Sequence, residues 1–386
     1  MLESAPKYQF PWRAGNRFEL LIDGSSFFPR MLEAVEQAAR FIWIEIYLFE
    51  SGEVTARVID ALTRAVRRGV EVRLLADDYG AFKLAAQDRE RLRAGGVQLA
   101  LYNPLRYHKW MANLFRDHRK LLIIDGEVAF VTGAGITDDF ADPDYPQRSW
   151  RENAVRIVGP VVRDWQQLFL RVWTQNAALP AGGPPVPEAG AGEGMLGRVV
   201  SSRRLGQQEI RRSFLNRVQG AASRAWFSTA YFVPSRNVLR ALQRAAARGV
   251  DVRLLLPGPY TDHPAVRHAG RRFYSRLLRH GVRIYEYQPR FLHAKSVLCD
   301  HWTSIGSSNL DRWNLRWNLE ANQEVDDAGF AAQVQAMFEH DFADSLEIRY
   351  PEWRRRGLRE RLREHLWGRV DMLLESLGRV RGVRMD

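Results

Sequence analysis

The chain is poor in three things. It has a single cysteine, Cys299, and only five lysines among 57 Lys+Arg. It also has no apolar run approaching the ~18 residues of a membrane-crossing helix. One cysteine excludes an intrachain disulfide framework and favours a reducing compartment. Cys299 lies among apolar neighbours and reads as core. The strongest apolar stretch, Phe41 to Phe49, is short and carries Glu45. From Met1 to Arg17 there is no apolar segment of a secretory leader. The expected protein is cytoplasmic, does not cross a membrane, and is able to lie against one.

Scarce lysine is not scarce positive charge. Asp+Glu number 45, so the net charge is +12 and the pI near 10.1, carried almost wholly by arginine. Such a balance points to a polyanionic partner: nucleic acid, an anionic membrane surface or a phosphorylated substrate. Two of the five lysines occupy matching places. One stretch runs His118-Arg119-Lys120-Leu121-Leu122-Ile123-Ile124-Asp125; the other runs His293-Ala294-Lys295-Ser296-Val297-Leu298-Cys299-Asp300. Both read H-x-K-x-x-x-x-D. The alternation predicts a strand whose His and Lys share one face. Lysine is a compact point charge and arginine a planar fork. An arginine-rich chain that twice uses lysine after histidine has a chemical need for it.

Other segments repeat in the same order. Arg68-Gly69-Val70-Glu71-Val72-Arg73-Leu74-Leu75 matches Arg248-Gly249-Val250-Asp251-Val252-Arg253-Leu254-Leu255. Ile44 to Phe49 parallels Ser228 to Val233, and Gly96 to Leu99 parallels Gly281 to Ile284. Leu32 to Ala39 reads as a helix, followed by a strand ending at Phe49. Val54 to Arg68 reads as a helix closed by Gly69, then a strand from Val70 to Leu75; Val238 to Arg248 and Val250 to Leu256 repeat that pair. Alternating helices and strands predict an α/β architecture, a mixed sheet in each half flanked by helices. Residues 1–176 form the first half, 177–195 a Pro/Gly-rich linker, 196–348 the second half, and 349–386 a tail.

Two surfaces stand out. The first half carries an insertion before its motif, residues 105–116, which is basic, aromatic and apolar. It reads as a packed loop or as a lip that meets lipid or a large substrate. In the tail, Leu358, Leu362, Leu366, Val370, Leu373 and Leu377 recur at helical spacing among arginines, the pattern of a basic amphipathic helix suited to anionic lipid.

The motifs carry a chemistry. A neutral imidazole attacks an electrophile and holds a covalent intermediate. A protonated one gives a proton to a leaving group and later takes one from an acceptor. Two lysines neutralise the oxygens of a phosphate. Two His and two Lys make a phosphoryl-transfer site with no call for a metal or cofactor; no cluster shows zinc-ligand spacing. Imidazoles also need orienting carboxylates. Glu152, 34 residues past His118, and Glu320, 27 past His293, are the candidates. Gly306-Ser307-Ser308-Asn309 follows the second motif as a small polar turn, and Thr132-Gly133-Ala134-Gly135 follows the first.

Paired H-x-K-x4-D with a following G-S-x-N resembles the phospholipase D superfamily. Tyr231-Phe232-Val233-Pro234, Leu255-Leu256-Pro257-Gly258, Gly306 to Asp311, Asn318-Leu319-Glu320 and Trp150-Arg151-Glu152 are similar to its bacterial cardiolipin synthase branch, in the short form without N-terminal membrane helices. The resemblance covers about Arg17 to Ile348. It implies a pseudo-twofold duplicated fold with both motifs at one cleft between the halves. It further implies His118 as the phosphatidyl-carrying nucleophile and His293 as acid and then base. Lys120, Lys295, Ser307, Asn309 and Thr132 would hold the phosphate, with Glu152 and Glu320 orienting the histidines. Asp125 and Asp300 belong to the motif in a more structural part. Gly135 stands where the family usually has Asn. The implied reaction makes cardiolipin from phosphatidylglycerol and a second phospholipid, such as phosphatidylethanolamine, on the inner face of the cell membrane. Three readings compete: this transferase; a phosphodiesterase, either a water-using phospholipase or a nuclease, with the same histidines; and a basic scaffold with a dead site. The intact His and Lys pairs speak against the last, and the amphipathic surfaces rank lipid above nucleic acid.

Overall fold

The computed structural model describes residues 8–141, 148–177, 194–203, 207–309, 311 and 317–357. The Pro/Gly-rich stretch 178–193 and the basic tail from 358 onward lie outside the described residues.

Short runs of Val, Ile, Leu and aromatic residues form the strands. In the first half these are β1 (Arg13–Ile22), β2 (Phe41–Ile46), β3 (Glu71–Asp77), β4 (Gln98–Tyr102), β5 (Leu121–Ile124), β6 (Val128–Thr132) and β7 (Asn153–Val158). The second half has β8 (Met195–Arg203), the short β9 (Gln207–Gln208), β10 (Arg224–Ser228), β11 (Asp251–Pro257) and β12 (Arg283–Tyr287). It continues with β13 (Ser296–Cys299), β14 (Trp302–Gly306), β15 (Glu320–Asp326) and β16 (Ser345–Ile348). Outward from the centre, the first half runs β1-β7-β6-β5-β2-β3-β4 and the second β8-β15-β14-β13-β10-β11-β12, with β16 added at its edge. β1 and β8 pair antiparallel and join the halves into one sheet. Each half is mixed: β2-β3-β4 and β10-β11-β12 are parallel, the other neighbours antiparallel.

The duplication reaches single residues. The helices Glu53–Arg67 and Arg236–Ala247 both end at a glycine with φ of 90°, Gly69 and Gly249, a conformation that only glycine adopts without strain. Trp43 sits in register with Arg73, and Trp226 with Arg253. In each case the indole N–H donates to an acid, Glu71 or Asp251, that also pairs with the arginine. This echo escapes the sequence because the pairing drifts. Ile44 corresponds to Phe227 and Glu45 to Ser228, one residue away from the expected match, as the partners Leu121 and Ser296 show.

Three boundaries differ from expectation. The helix expected over Leu32–Ala39 spans Gly24–Gln37 and contains Pro29. Proline removes one helical donor, but Phe27 and Phe28 bury the turn before it. The strand expected to reach Phe49 stops at Ile46; Phe49 then bridges Ile136 alone. The motif strands begin only after each lysine, so His and Lys occupy the extended lead-ins to β5 and β13.

Asp125 and Asp300 sit at the far ends of those strands, both at positive φ (53° and 52°). Asp125 accepts backbone N–H groups of Ala39, Arg40 and Phe41; Asp300 accepts those of Ala222, Ser223 and Arg224. Each aspartate ties the turn after its motif to the start of the neighbouring strand, away from the histidines.

Candidate active site

The two lead-ins are held by the opposite half. Asp117 bridges Leu319, and Leu292 bridges Arg151. The His118 N–H donates to Leu319 O and the His293 N–H to Arg151 O, both at 2.9 Å. The residue after each anchor is a glutamate. The carboxylates therefore cross over: His118 Nδ1 lies 2.9 Å from Oε1 of Glu320, and His293 Nδ1 lies 2.7 Å from Oε2 of Glu152. Sequence order set Glu152 behind His118 and Glu320 behind His293; the fold exchanges them. Nδ1 of each ring thus faces a carboxylate, and Nε2 of His293 lies 3.1 Å from Lys295 Nζ.

All six residues are buried: His118, Lys120, Glu152, His293, Lys295 and Glu320 are each at most 8% exposed. Lys295 Nζ is 2.7 Å from His293 Nδ1 and 3.4 Å from Glu152 Oε2. Lys120 Nζ donates to His118 O at 2.6 Å and stands over the Tyr47 ring. Burial depresses both imidazoles, and the lysines depress them further: His118 well below its ordinary value, His293 to about 4. Each histidine feels the lysine of the other half as well as its own, so the two motifs share one field.

The carboxylates part company. Burial pushes Glu152 up, but Lys295 and the His293 hydrogen bond outweigh it and hold it at about 2. Burial wins at Glu320, which is raised to about 8 against the pull of Lys120 and Ser307. Burial also lowers Lys120 to about 7.

The remaining expected residues fall into place unevenly. Asn309 is fully buried, its Oδ1 is met by Thr229, and its Nδ2 has no partner among the described residues. A buried, unmatched amide donor costs free energy unless something fills it. The Ser307 hydroxyl donates to Glu320 Oε2, and the Thr132 hydroxyl donates to Asn153 O and accepts the Ala134 N–H. Both hydroxyls are committed within the chain. At Gly135, a Cβ would lie 2.5 Å from Leu48 O and 2.6 Å from Leu48 Cβ. Backbone fills the place where a side-chain amide would stand.

Supporting residues escaped the sequence. Arg151 makes a buried two-pronged pair with Asp341 and donates to the backbone Glu152 O, anchoring the main chain at that residue. Arg116 pairs with Asp77, which also accepts the Asp117 N–H, and so fixes the entry to His118. The rings of Phe140, Trp150 and Phe291 stand 5.3, 5.3 and 5.7 Å from His293. Among the described residues no group of three His, Cys, Asp or Glu is placed to hold a metal ion.

Residues 31–173 and 214–342 match the family described as "Cardiolipin synthase, PLD-like domain". The chain is 36% identical over 351 residues to cardiolipin synthase A of Pseudomonas aeruginosa, covering 89% of this chain and 70% of that one. It is 30% identical over 356 residues to the probable cardiolipin synthase YwiE of Bacillus subtilis, covering 90% and 70%. Among solved structures, phosphatidylserine synthase of Haemophilus influenzae superposes with a TM-score of 0.76 at 14% identity, over 97% of this chain and 98% of that chain. That likeness is one of fold. No helix among the described residues is long and apolar enough to cross a membrane.

Proposed function

The chain belongs to the cardiolipin synthase family of phospholipase D-like proteins, and on that premise we propose that it is a phosphatidyltransferase that joins two phospholipids into cardiolipin. The donor is phosphatidylglycerol or phosphatidylethanolamine; the acceptor is the free hydroxyl of a second phosphatidylglycerol. The observation that carries this is the crossed pair of histidine–glutamate contacts, each with a buried lysine beside its histidine.

The steps follow from the residues. His118 Nε2 attacks the donor phosphorus; a P–N bond forms as the head-group P–O bond breaks. His293 gives its proton to the departing oxygen. The acceptor hydroxyl then gives a proton to His293, its oxygen attacks phosphorus, and the P–N bond breaks. Lys120, Lys295 and the Asn309 amide meet the phosphate oxygens. Ser307 acts through Glu320, and Thr132 through its turn. An incoming phosphodiester raises both imidazoles, and His293 takes the proton first because Glu152 beside it is ionised.

The enzyme works from the inner membrane face as a peripheral protein. Residues 105–116 present Tyr107 and Trp110, 94% and 71% exposed, beside Arg106 and Lys109, and lead straight into the His118 segment. Replacing Tyr107 and Trp110 by serine is expected to weaken sedimentation with anionic vesicles by about tenfold per ring. Unchanged sedimentation removes this loop from the membrane contact.

Purified protein incubated with phosphatidylglycerol vesicles is expected to yield cardiolipin and glycerol on lipid separation. Phosphatidic acid as the sole product would make it a hydrolase. Intact donor lipid together with plasmid cutting in a chelator would make it a nuclease.

A further inference from the structure

Lysines that neutralise phosphate should not be crowded by carboxylates without cause. Yet the second half brings an acidic wall to Lys295. Tyr231 lies three residues beyond β10, whose last residue Ser228 is in register with Ser296, next to Lys295. Thr229 Oγ1 donates to Tyr231 O at 2.9 Å and lies 3.2 Å from Asn309 Oδ1, so the tyrosine is tied to the amide expected to hold phosphate. The Tyr231 hydroxyl donates to Asp262 Oδ2. The side chain of Asp262 is 23% exposed, and the His263 ring stands 5.6 Å from that of Tyr231.

The charge of this wall is felt at the second motif. Burial lowers Lys295, and Glu152, Glu320 and Asp262 pull it back up, so the Asp262 charge reaches the ammonium. Burial, then Asp262, raises the Tyr231 hydroxyl, with Asp311 and Tyr47 adding to it. Tyr47 in turn lies 4.7 Å from His118, ring to ring. A carboxylate here repels a phosphate's oxygens. It attracts hydrogen-bond donors two or three atoms beyond the phosphorus.

We propose that Tyr231 and Asp262 form a head-group pocket that receives the hydrogen-bond-donating end of the alcohol. This rests on the phosphatidyl-transfer reading. With phosphorus bonded to His118 Nε2, the alcohol oxygen stands on the His293–Lys295 side, where Asp262 acts. The same pocket serves both steps, because departure and attack retrace one path. In the second step the P–N bond to His118 breaks, the P–O bond to the alcohol forms, and the alcohol proton passes to His293. Asp262 and Tyr231 hold the remaining hydroxyl of the glycerol. They decide how often an alcohol, rather than water, resolves the intermediate. An ethanolamine ammonium offers the same donor chemistry.

The test is a product ratio. Full-length wild type, Tyr231→Phe and Asp262→Asn are incubated with phosphatidylglycerol vesicles, and cardiolipin and phosphatidic acid are quantified from the same reaction. Both products come from one intermediate, so a variant that only slows chemistry or folds poorly leaves their ratio alone. Both variants are expected to lower the cardiolipin-to-phosphatidic-acid ratio by about tenfold, whatever the total rate. An unchanged ratio in both overturns the pocket. With phosphatidylethanolamine as donor, a greater loss of head-group release in Asp262→Asn than in Tyr231→Phe assigns the pocket to the ammonium; equal losses assign it to hydroxyls. Wild type that makes only phosphatidic acid defeats the transfer reading, not the pocket. The pocket is then judged by glycerol against propanol as soluble acceptors: a glycerol preference lost in both variants keeps it, and no preference in wild type overturns it.

Discussion

The two halves share a backbone and differ in what surrounds the histidine. In the first half the residues flanking His118 are Arg116, Asp117 and Arg119, all buried, paired with Asp77 and Glu45. The same positions around His293 are Phe291, Leu292 and Ala294. Tyr47 lies against His118, whereas Phe140, Trp150 and Phe291 enclose His293. Ser307 caps Glu320; its counterpart Gly133 has no room for a side chain, since a Cβ there would lie 2.4 Å from Glu152 Oε2. Lys295 and the His293 hydrogen bond keep Glu152 charged, whereas burial carries Glu320 close to neutrality against the pull of Lys120 and Ser307. Duplication supplied two equal sets of candidate catalytic atoms. Divergence of the shells leaves His293 beside an ionised glutamate and His118 beside a nearly neutral one, the asymmetry that the proposed two-step transfer requires.

The sharpest break of that comparison is at the histidines. His118→Ala is expected to abolish transfer, by roughly 10⁴-fold or more, because the covalent step is lost. His293→Ala is expected to cost about 10²- to 10⁴-fold and to leave acid-labile phosphate on the protein. Phosphate trapped on His118→Ala instead would exchange the two roles.

The glutamates come next, with unequal effects. Glu152→Gln removes a charge buried between Lys295 and His293, and a loss of about 10²-fold or more is expected. Glu320→Gln replaces a carboxyl that is already mostly protonated at neutral pH, so about tenfold or less is expected there. A pH series adds a sign. Glu320 is raised from 4.5 to about 8. The folded state thus keeps a proton that the unfolded chain gives up, and stability falls as pH rises through that window. Wild type should lose stability relative to Glu320→Gln between those pH values. Equal losses of activity in the two variants would mean that the shells do not divide the labour.

Much of this was legible in the sequence, and the gaps have physical causes. Repeated motifs, glycine-closed helices and the alternation of helices with strands follow from local pattern, so they could be read locally. The crossing of Glu152 and Glu320 could not. A spacing of 34 or 27 residues fixes no partner when two similar halves face each other, and only the bridges at Leu319 and Arg151 settle it. Pro29 hid the front of its helix because propensity speaks before packing does. The Trp–Arg echo was hidden by a one-residue drift. Ser307 and Thr132 have the right chemistry for phosphate, but hydrogen-bond commitments within the chain are invisible in composition.

The smallest effect on chemistry tests where the halves agree. Asp125 and Asp300 make equivalent sets of backbone contacts, so Asp125→Asn and Asp300→Asn should behave alike. Each should lower stability by about 1–3 kcal/mol in denaturant unfolding and leave turnover per folded molecule within about twofold. Asp300 adds an acid-side check. Burial raises it, but the Ser223 hydroxyl and three backbone N–H groups prevail and hold it at about 2, below its ordinary 3.8. That stabilisation is present above the ordinary value and disappears as pH falls toward 2, so Asp300→Asn should flatten the acid limb of the stability profile. A drop in turnover of about tenfold in only one of the two variants would move that aspartate from the scaffold into the chemistry. The halves would then differ at the very positions where their hydrogen bonds match.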